Sequence, residues 1–236
     1  MVVPQFTKTG AVEGDTFNAL DVIQFKGLVA GTRLNPDATA ASIQVHQPSD
    51  DGYKKYYYVN DAMKIVESKP QQVTGWTDAA LLSENIAVKK FHGFWLRIIN
   101  CEDGATMTVA GEVRDLSKPV VVPVGEEGFW QIISNPFPCD LNIDNIAVDG
   151  LTPGTRLNPD ATAPSIQVHN PVDDGYHKYY YVNDAMKIVE GKPTQVTGWT
   201  DAALLSTGKI CDAGKGFWFK VISGSGTLTF TMPTAE

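Results

Sequence analysis

Ser42, Gln44 and His46 alternate along the run SIQVH with Asp50 following, and the same residues return as Ser165, Gln167, His169 and Asp173. Serine, histidine and aspartate are the members of a hydrolytic triad, in which imidazole takes the hydroxyl proton and the carboxylate orients the ring. The spacing argues against that chemistry. Residues two apart on a strand share a face, but each such step climbs about 7 Å, so a serine and a histidine four residues apart do not meet directly. No GxSxG elbow, HExxH pair, phosphate loop or dinucleotide fingerprint accompanies them. The expectation is a chain with no catalytic residues, not an enzyme.

Carboxylates offer a second chemistry. Asp50 and Asp51 in DDGY, repeated as Asp173 and Asp174, lie near Asn60-Asp61 and Asn183-Asp184, and together these oxygens could ligate calcium. The 12-residue EF-hand pattern is absent, and Asp-Gly is a common hairpin turn. Turn chemistry is the expected role, with no cofactor. NPDATA, at Asn35 to Ala40 and Asn158 to Ala163, reads likewise as an Asn-Pro-Asp turn beside Arg33 and Arg156.

Aromatic residues offer a third. GYKKYYYVNDA, from Gly52, returns as GYHKYYYVNDA from Gly175. Strand alternation puts Tyr53, Lys55, Tyr57 and Val59 on one face and Lys54, Tyr56 and Tyr58 on the other, with His177, Tyr179 and Tyr181 equivalent to the latter. A lysine exchanges with a histidine most easily where neither is packed. Tyr56, Tyr58, Tyr179 and Tyr181 are therefore expected on a partly exposed face, and Tyr57 and Val59 in the core. In GFWLRI and GFWFKV, the set Phe94, Leu96, Ile98 (Phe217, Phe219, Val221) reads as core and Trp95 and Trp218 as outward-facing. Exposed rings beside charges either pack an interface or stack on a flat ligand such as a sugar. Trp76 and Trp199, in matched GWTD loops, join Tyr56, Tyr58, Trp95, Tyr179, Tyr181 and Trp218 as ligand or interface candidates.

These residues come in pairs because the chain is internally duplicated. Gly27 to Ser83 aligns without gaps on Gly150 to Ser206 at an offset of 123, with 49 of 57 positions identical. The same offset carries GFWLRI onto GFWFKV and TMTV (Thr106 to Val109) onto TFTM (Thr229 to Met232). Two modules are expected, 1–114 and 124–236, joined by an extended linker at 115–123. Short runs of Val, Ile, Phe, Tyr and Thr, separated by Gly, Pro, Asn and Asp, predict antiparallel β-sandwich domains of jelly-roll or immunoglobulin-like type. In module two the predicted strands are 129–134, 141–148, 165–169, 176–182, 195–199, 216–222 and 227–232. Asn183 to Glu190 and Asp201 to Ser206 are read as short helical turns. The valine run Val120 to Val122 and the divergent N-terminal segment are expected to donate strands to a neighbour.

With 236 residues, 43% of them hydrophobic, the chain is long enough for two cores. A net charge of −8 and no basic run disfavour nucleic acid, whose binding needs clustered Lys and Arg. No window approaches the roughly 18 apolar residues that span a bilayer, and the N-terminus lacks a signal-peptide profile. A soluble chain without membrane insertion is expected. Cys101, Cys139 and Cys211 are unpaired between the modules and lack CxxC spacing, which disfavours a repeated thiol or zinc site.

The order SNPFPCDLNIDNIAVDG (Ser134 to Gly150), a tyrosine-rich strand, GWTDA (Gly198 to Ala202), KGFWFKV (Lys215 to Val221) and TLTF (Thr227 to Phe230) resembles a module of secreted bacterial proteins. The resemblance implies a β-sandwich at an extracellular or cell-surface location, and no activity or catalytic residue. The sequence is thus expected to encode a structural or adhesive protein that partners itself, other surface proteins or glycans. A tandem carbohydrate-binding module is the alternative, and a hydrolase the third reading.

Overall fold

The computed structural model describes residues 16–49, 51–78, 85–110, 115–125, 129–170, 172–201 and 208–233. The chain divides into two compact units, Met1–Gln47 with Gly52–Arg114, and Pro48–Asp51 with Asp115–Glu236. Both are all-β, with antiparallel pairing throughout the named strands.

Unit 1 contains β1 (Thr16–Asn18), β2 (Ile23–Leu28), β3 (Ser42–Gln47), β4 (Gly52–Val66), β5 (Lys69–Thr77), β6 (Ala87–Lys89), β7 (Trp95–Arg97) and β8 (Cys101–Val109). Its main sheet runs β5-β4-β3-β7, and β2-β8 and β1-β6 form two-stranded ladders. One turn of helix, α1 (Pro36–Thr39), begins with proline at the position where a missing N–H costs nothing. The core gathers Phe17, Ile23, Ile43, Tyr56, Trp76, Ile86, Val88 and Phe94 on one face of the main sheet. Burying each such side chain contributes about 1.5–3 kcal/mol. The opposite face carries a smaller cluster of Ala40, Tyr57, Val59 and Ala62.

Unit 2 contains β9 (Val120–Val124), β10 (Trp130–Ser134), β11 (Leu141–Asn142), β12 (Ile146–Asp149), α2 (Pro159–Thr162), β13 (Ser165–Asn170), β14 (Gly175–Val189), β15 (Lys192–Thr200), β16 (Lys209–Cys211), β17 (Gly216–Lys220) and β18 (Gly226–Phe230). Its main sheet runs β10-β17-β13-β14-β15, a second runs β12-β18-β9, and β11 pairs with β16. Phe217 and Phe230 bring the first two sheets into ring contact at 6.3 Å.

Four expectations change. The valine run expected in an extended linker, and as a strand donor to a neighbour, is β9, paired with β18 of its own unit. Buried Val120, Val122 and Val124 alternate with exposed Val121 and Pro123, the pattern of a strand with one covered face. Asn183 to Val189 is not helical but continues β14, because Ala185–Val189 pairs residue for residue with Lys192–Val196. TMTV corresponds to TLTF rather than TFTM: Ile23 opposes Val109 where Ile146 opposes Phe230, an offset of 121 between the second partners. Ile98 is exposed, whereas its counterpart Val221 is buried. The predicted turn at 202–206 lies outside the described residues.

Candidate functional site

The tyrosine strands are covered on both faces, and this decides what the candidate rings do. The backbone at Gly31 lies along β4, its N–H donating to Tyr58 O at 3.0 Å and its carbonyl accepting from Asn60 N at 3.0 Å. Gly154 does the same with Tyr181 O (2.9 Å) and Asn183 N (3.0 Å). A register shift between Val59 and Ala62, and between Val182 and Ala185, opens the strand there. The displaced residues Asp61 and Asp184 turn their carboxylates onto the loop. Each accepts an arginine's backbone N–H with both oxygens, Arg33 at 2.9 and 3.0 Å and Arg156 at 3.0 and 3.0 Å. These aspartates staple the loop to the strand.

The loop that follows carries α1 and α2 over the sheet, where a polar cluster repeats in both units. Residues opposite one another on paired strands share a face. Ser42 opposes Tyr57 and Arg97, and Gln44 opposes Lys55 and Trp95, so all six lie on the face bearing α1. Tyr57 donates its hydroxyl to Asp37 Oδ1 at 3.0 Å and Lys55 reaches the same oxygen at 3.3 Å. Arg97 Nη1 donates to Asp37 O at 2.7 Å. In unit 2, Tyr180 and Lys178 meet Asp160 Oδ1 at 3.0 and 2.9 Å, and Lys220 Nζ reaches Asp160 O at 3.2 Å. Asp37 and Asp160 are legible in the sequence only as turn residues.

The cluster's electrostatics suit a lock rather than a proton-transfer site. The Tyr57 hydroxyl and then Lys55 hold the Asp37 carboxyl below its usual value, and Lys178 foremost does so for Asp160. Burial first, and the aspartate second, push Tyr57 and Tyr180 up to about 12. A general acid or base works best with a pKa near the operating pH, and both tyrosines stay protonated as donors far above neutrality.

Two pH limits follow by linkage. The tyrosines' folded values exceed the ordinary 10.0, so their contribution is complete below pH 10 and is lost as pH rises from 10 towards about 12. The lowered carboxyls contribute above their usual 3.8 and lose that contribution as pH falls through the lower folded values. The acid effect is the smaller, since both carboxylates are more than half exposed and so solvent-screened. A phenolate absorbance titration at about 295 nm is expected to show at least two tyrosines ionising near pH 12 or together with alkaline unfolding. Uniform titration of all eight near pH 10 would contradict the lock.

The eight aromatic candidates do not form an exposed platform. Tyr56 is 1% exposed, and Trp76, Trp199 and Trp218 are also buried. Tyr58, Trp95, Tyr179 and Tyr181 are half-buried. Trp76 packs on Phe25 at 5.3 Å and Tyr58 at 5.5 Å. Trp199 packs on Tyr181 at 5.4 Å and donates its indole N–H to Ile146 O at 3.1 Å. Trp218 meets Trp130 edge-on at 5.9 Å. The expected partial exposure holds for Tyr58, Tyr179 and Tyr181 and fails for Tyr56; Trp95 keeps part of its surface in solvent, while Trp76, Trp199 and Trp218 are buried rather than outward-facing. Tyr57 and Val59 are buried and Lys54 and His177 exposed, in line with the alternation.

Serine and histidine are separated in the manner the spacing predicts. Ser42 Oγ accepts from Gln44 Nε2 at 3.2 Å and Ser165 Oγ from Gln167 Nε2 at 3.4 Å, with both serines buried. His169 Nε2 meets Asp174 Oδ1 at 2.9 Å, and the rings of His46 and His169 meet those of Tyr53 and Tyr176 edge-on, both at 5.5 Å. Asp173 Oδ1 accepts from Gly175 N at 3.0 Å, and Asp51 and Asp174 adopt φ of 52° at hairpin turns. Asp50 lies outside the described residues. No group of three or more His, Cys, Asp or Glu gathers to hold a metal among the described residues. Cys101 is exposed and Cys139 half-buried, while burial pushes the Cys211 thiol up to about 12.

What does stand in solvent is a pair of β-ribbons. Beyond the register shift, β4-β5 and β14-β15 continue as hairpins whose side chains are mostly exposed. Glu67 and Ser68, at φ 50° and 62°, and Glu190 and Gly191, at φ 52° and 76°, form two-residue turns with both central residues left-handed. Such turns match the right-handed twist of the strands they join. On one face of each ribbon, Met63 and Ile65, and Met186 and Ile188, are exposed; both isoleucines are 66% exposed. The alternation in the sequence changes phase at the register shift, so Met63 and Ile65 follow a second period-two run after Ala62.

Comparison with family models, curated proteins and solved structures returned no match to this chain.

Proposed function

We propose that this chain is a non-enzymatic structural or adhesive protein of the cell surface or extracellular space, built from two tandem β-sandwich domains. It acts by presenting its two ribbons to partner surfaces, other copies of itself included. The observation that carries this reading is the repetition of the same exposed apolar pair, Met63 with Ile65 and Met186 with Ile188, at the same place on two projecting hairpins. Isolated two-stranded ribbons are marginal in water, and apolar side chains on them gain most when another surface covers them. The doubled arrangement also favours avidity, since the second contact forms at a raised local concentration.

The test is light scattering and negative-stain microscopy across a concentration series, on the natural chain and on Ile65→Lys with Ile188→Lys. The natural chain is expected to form dimers or larger particles, and the double variant to remain folded and shift to monomer. A natural chain that stays monomeric throughout and adheres to no cell surface, with the variant indistinguishable from it, would overturn the reading.

A further inference from the structure

A cavity of about 660 Å³ lies in unit 2, lined by residues that all belong to that unit, among them Ser49, Asp51, Phe129, Trp130, Asp160 and Lys220. Its size falls within the range of about 300–1,000 Å³ usual for small-molecule sites. Trp130 opposes Lys220, Lys220 opposes Ser165, and Ser165 opposes Tyr180, so these four side chains share the sheet face that carries α2. Tyr180 and Lys178 anchor Asp160 on that face. Phe129 directly precedes β10, and its carbonyl accepts from Val221 N at 2.7 Å. The walls are therefore strand residues and a tethered turn of helix, and a site already held in shape loses little freedom when a ligand enters.

The lining combines an exposed ring with hydrogen-bonding groups of both kinds. Phe129 is 59% exposed, and so large a ring gains when a ligand covers it. Lys220 Nζ donates to Asp160 O at 3.2 Å, which uses one of an ammonium's three protons. The Asp160 side chain is 62% exposed and carries the acceptor oxygens. Charge then decides between ligand classes. An anion would meet two carboxylates, Asp51 and Asp160, against one ammonium, Lys220. A cation would find the Trp130 ring already faced by Lys220 Nζ, 5.4 Å from its centroid. A hydroxyl both donates and accepts, so a neutral polyol uses Asp160 and Lys220 together. We infer that this cavity binds a neutral oligosaccharide, the apolar C–H face of one sugar ring lying on Phe129 and its hydroxyls on Asp160 and Lys220. The lining residues lie outside both ribbons, so this site stands or falls separately from association through Met63, Ile65, Met186 and Ile188.

The test is an NMR titration of the full chain, followed at its amide and indole N–H groups, with hexasaccharides of glucose, mannose, galactose and N-acetylglucosamine. Each is taken to about 10 mM, so that millimolar binding saturates. At least one is expected to shift the Trp130 indole N–H and the amides of Asp160, Ala161 and Lys220 to Ile222. Phe129→Ala is expected to weaken that binding about tenfold, the loss of one stacked ring, and Phe129→Trp to retain it, with β14 amides unchanged in both as a control for folding. Silence of these resonances towards all four glycans would sink the proposal. So would shifts confined to other residues, or a Phe129→Ala chain that binds as tightly as the natural one. Shifts at the cavity with spermidine or inorganic phosphate, and none with a glycan, would assign it to a charged ligand and overturn the proposal equally.

Discussion

Trp199→Ala is expected to destabilise unit 2 by about 3–5 kcal/mol, and Trp76→Ala to do the same to unit 1. Both indoles are buried, 7% and 8% exposed, against a cross-strand tyrosine at 5.4 and 5.5 Å. Removing either leaves a cavity the size of a bicyclic ring beneath the main sheet. In unit 2 it also leaves Ile146 O without its indole donor. At about 4–8 °C per kcal/mol for a domain of this size, the affected unit should melt at least about 12 °C lower. Calorimetry of the two single variants checks this. Two variants that melt like the natural chain would mean that the rings lie at a surface and are free for ligands. Trp199→Phe separates packing from hydrogen bonding, and should cost about 1–2 kcal/mol through the orphaned carbonyl.

The duplication, the all-β class and the alternation of β4 and β14 are legible in the sequence, because each depends on local pattern. Lys54 and His177 stand in solvent and Tyr57 and Val59 are covered, as period-two spacing requires. What alternation leaves open is which cover lies on each face. Sharing a face with Lys54 argues for an outward Tyr56, yet Lys54 extends its ammonium over the Tyr56 ring, 5.3 Å from its centroid. A long amphipathic side chain can cover a ring and still reach water past it. The outer cover of Tyr57 comes from α1, twenty residues earlier, through Asp37. Neither contact is a property of the strand's own pattern.

Helix propensity misleads at NDAMKIVE for a related reason. Ala, Met, Lys and Glu are good helix formers, but Ala185–Val189 has a partner strand immediately after a two-residue turn. The hairpin overrides the propensity. One of the few differences within the repeat supports this: Ser68, at φ 62°, is replaced by Gly191, at φ 76°. Left-handed backbone of this kind favours glycine. Ala41 and Pro164 exchange just as freely, since at both positions the strand uses the carbonyl, which accepts from Tyr58 N or Tyr181 N at 2.9 Å.

Gly154→Ala is expected to cost unit 2 about 3 kcal/mol or more, although it adds a single methyl group. That methyl would lie 2.4 Å from Ala163 Cα and 2.5 Å from Ala163 N, and these are backbone atoms that cannot rotate away. The equivalent methyl at Gly31 would meet the Thr39 carbonyl carbon at 2.4 Å. Accommodation requires lifting the loop from β14, which breaks the paired hydrogen bonds to Tyr181 O and Asn183 N. It also displaces the Arg156 N–H from Asp184 and carries Asp160 away from Tyr180. The glycine, the aspartate staple and the tyrosine lock are thus three fastenings of one loop, and failure of the first should be visible in the last. Besides a lower melting temperature, Gly154→Ala should bring the Tyr180 ionisation down from about 12 towards 10 in the phenolate absorbance titration. A variant that melts normally and keeps the high-pH tyrosine would show that the loop has a second way to sit on the sheet, and that its closeness to β14 is not what holds α2 in place.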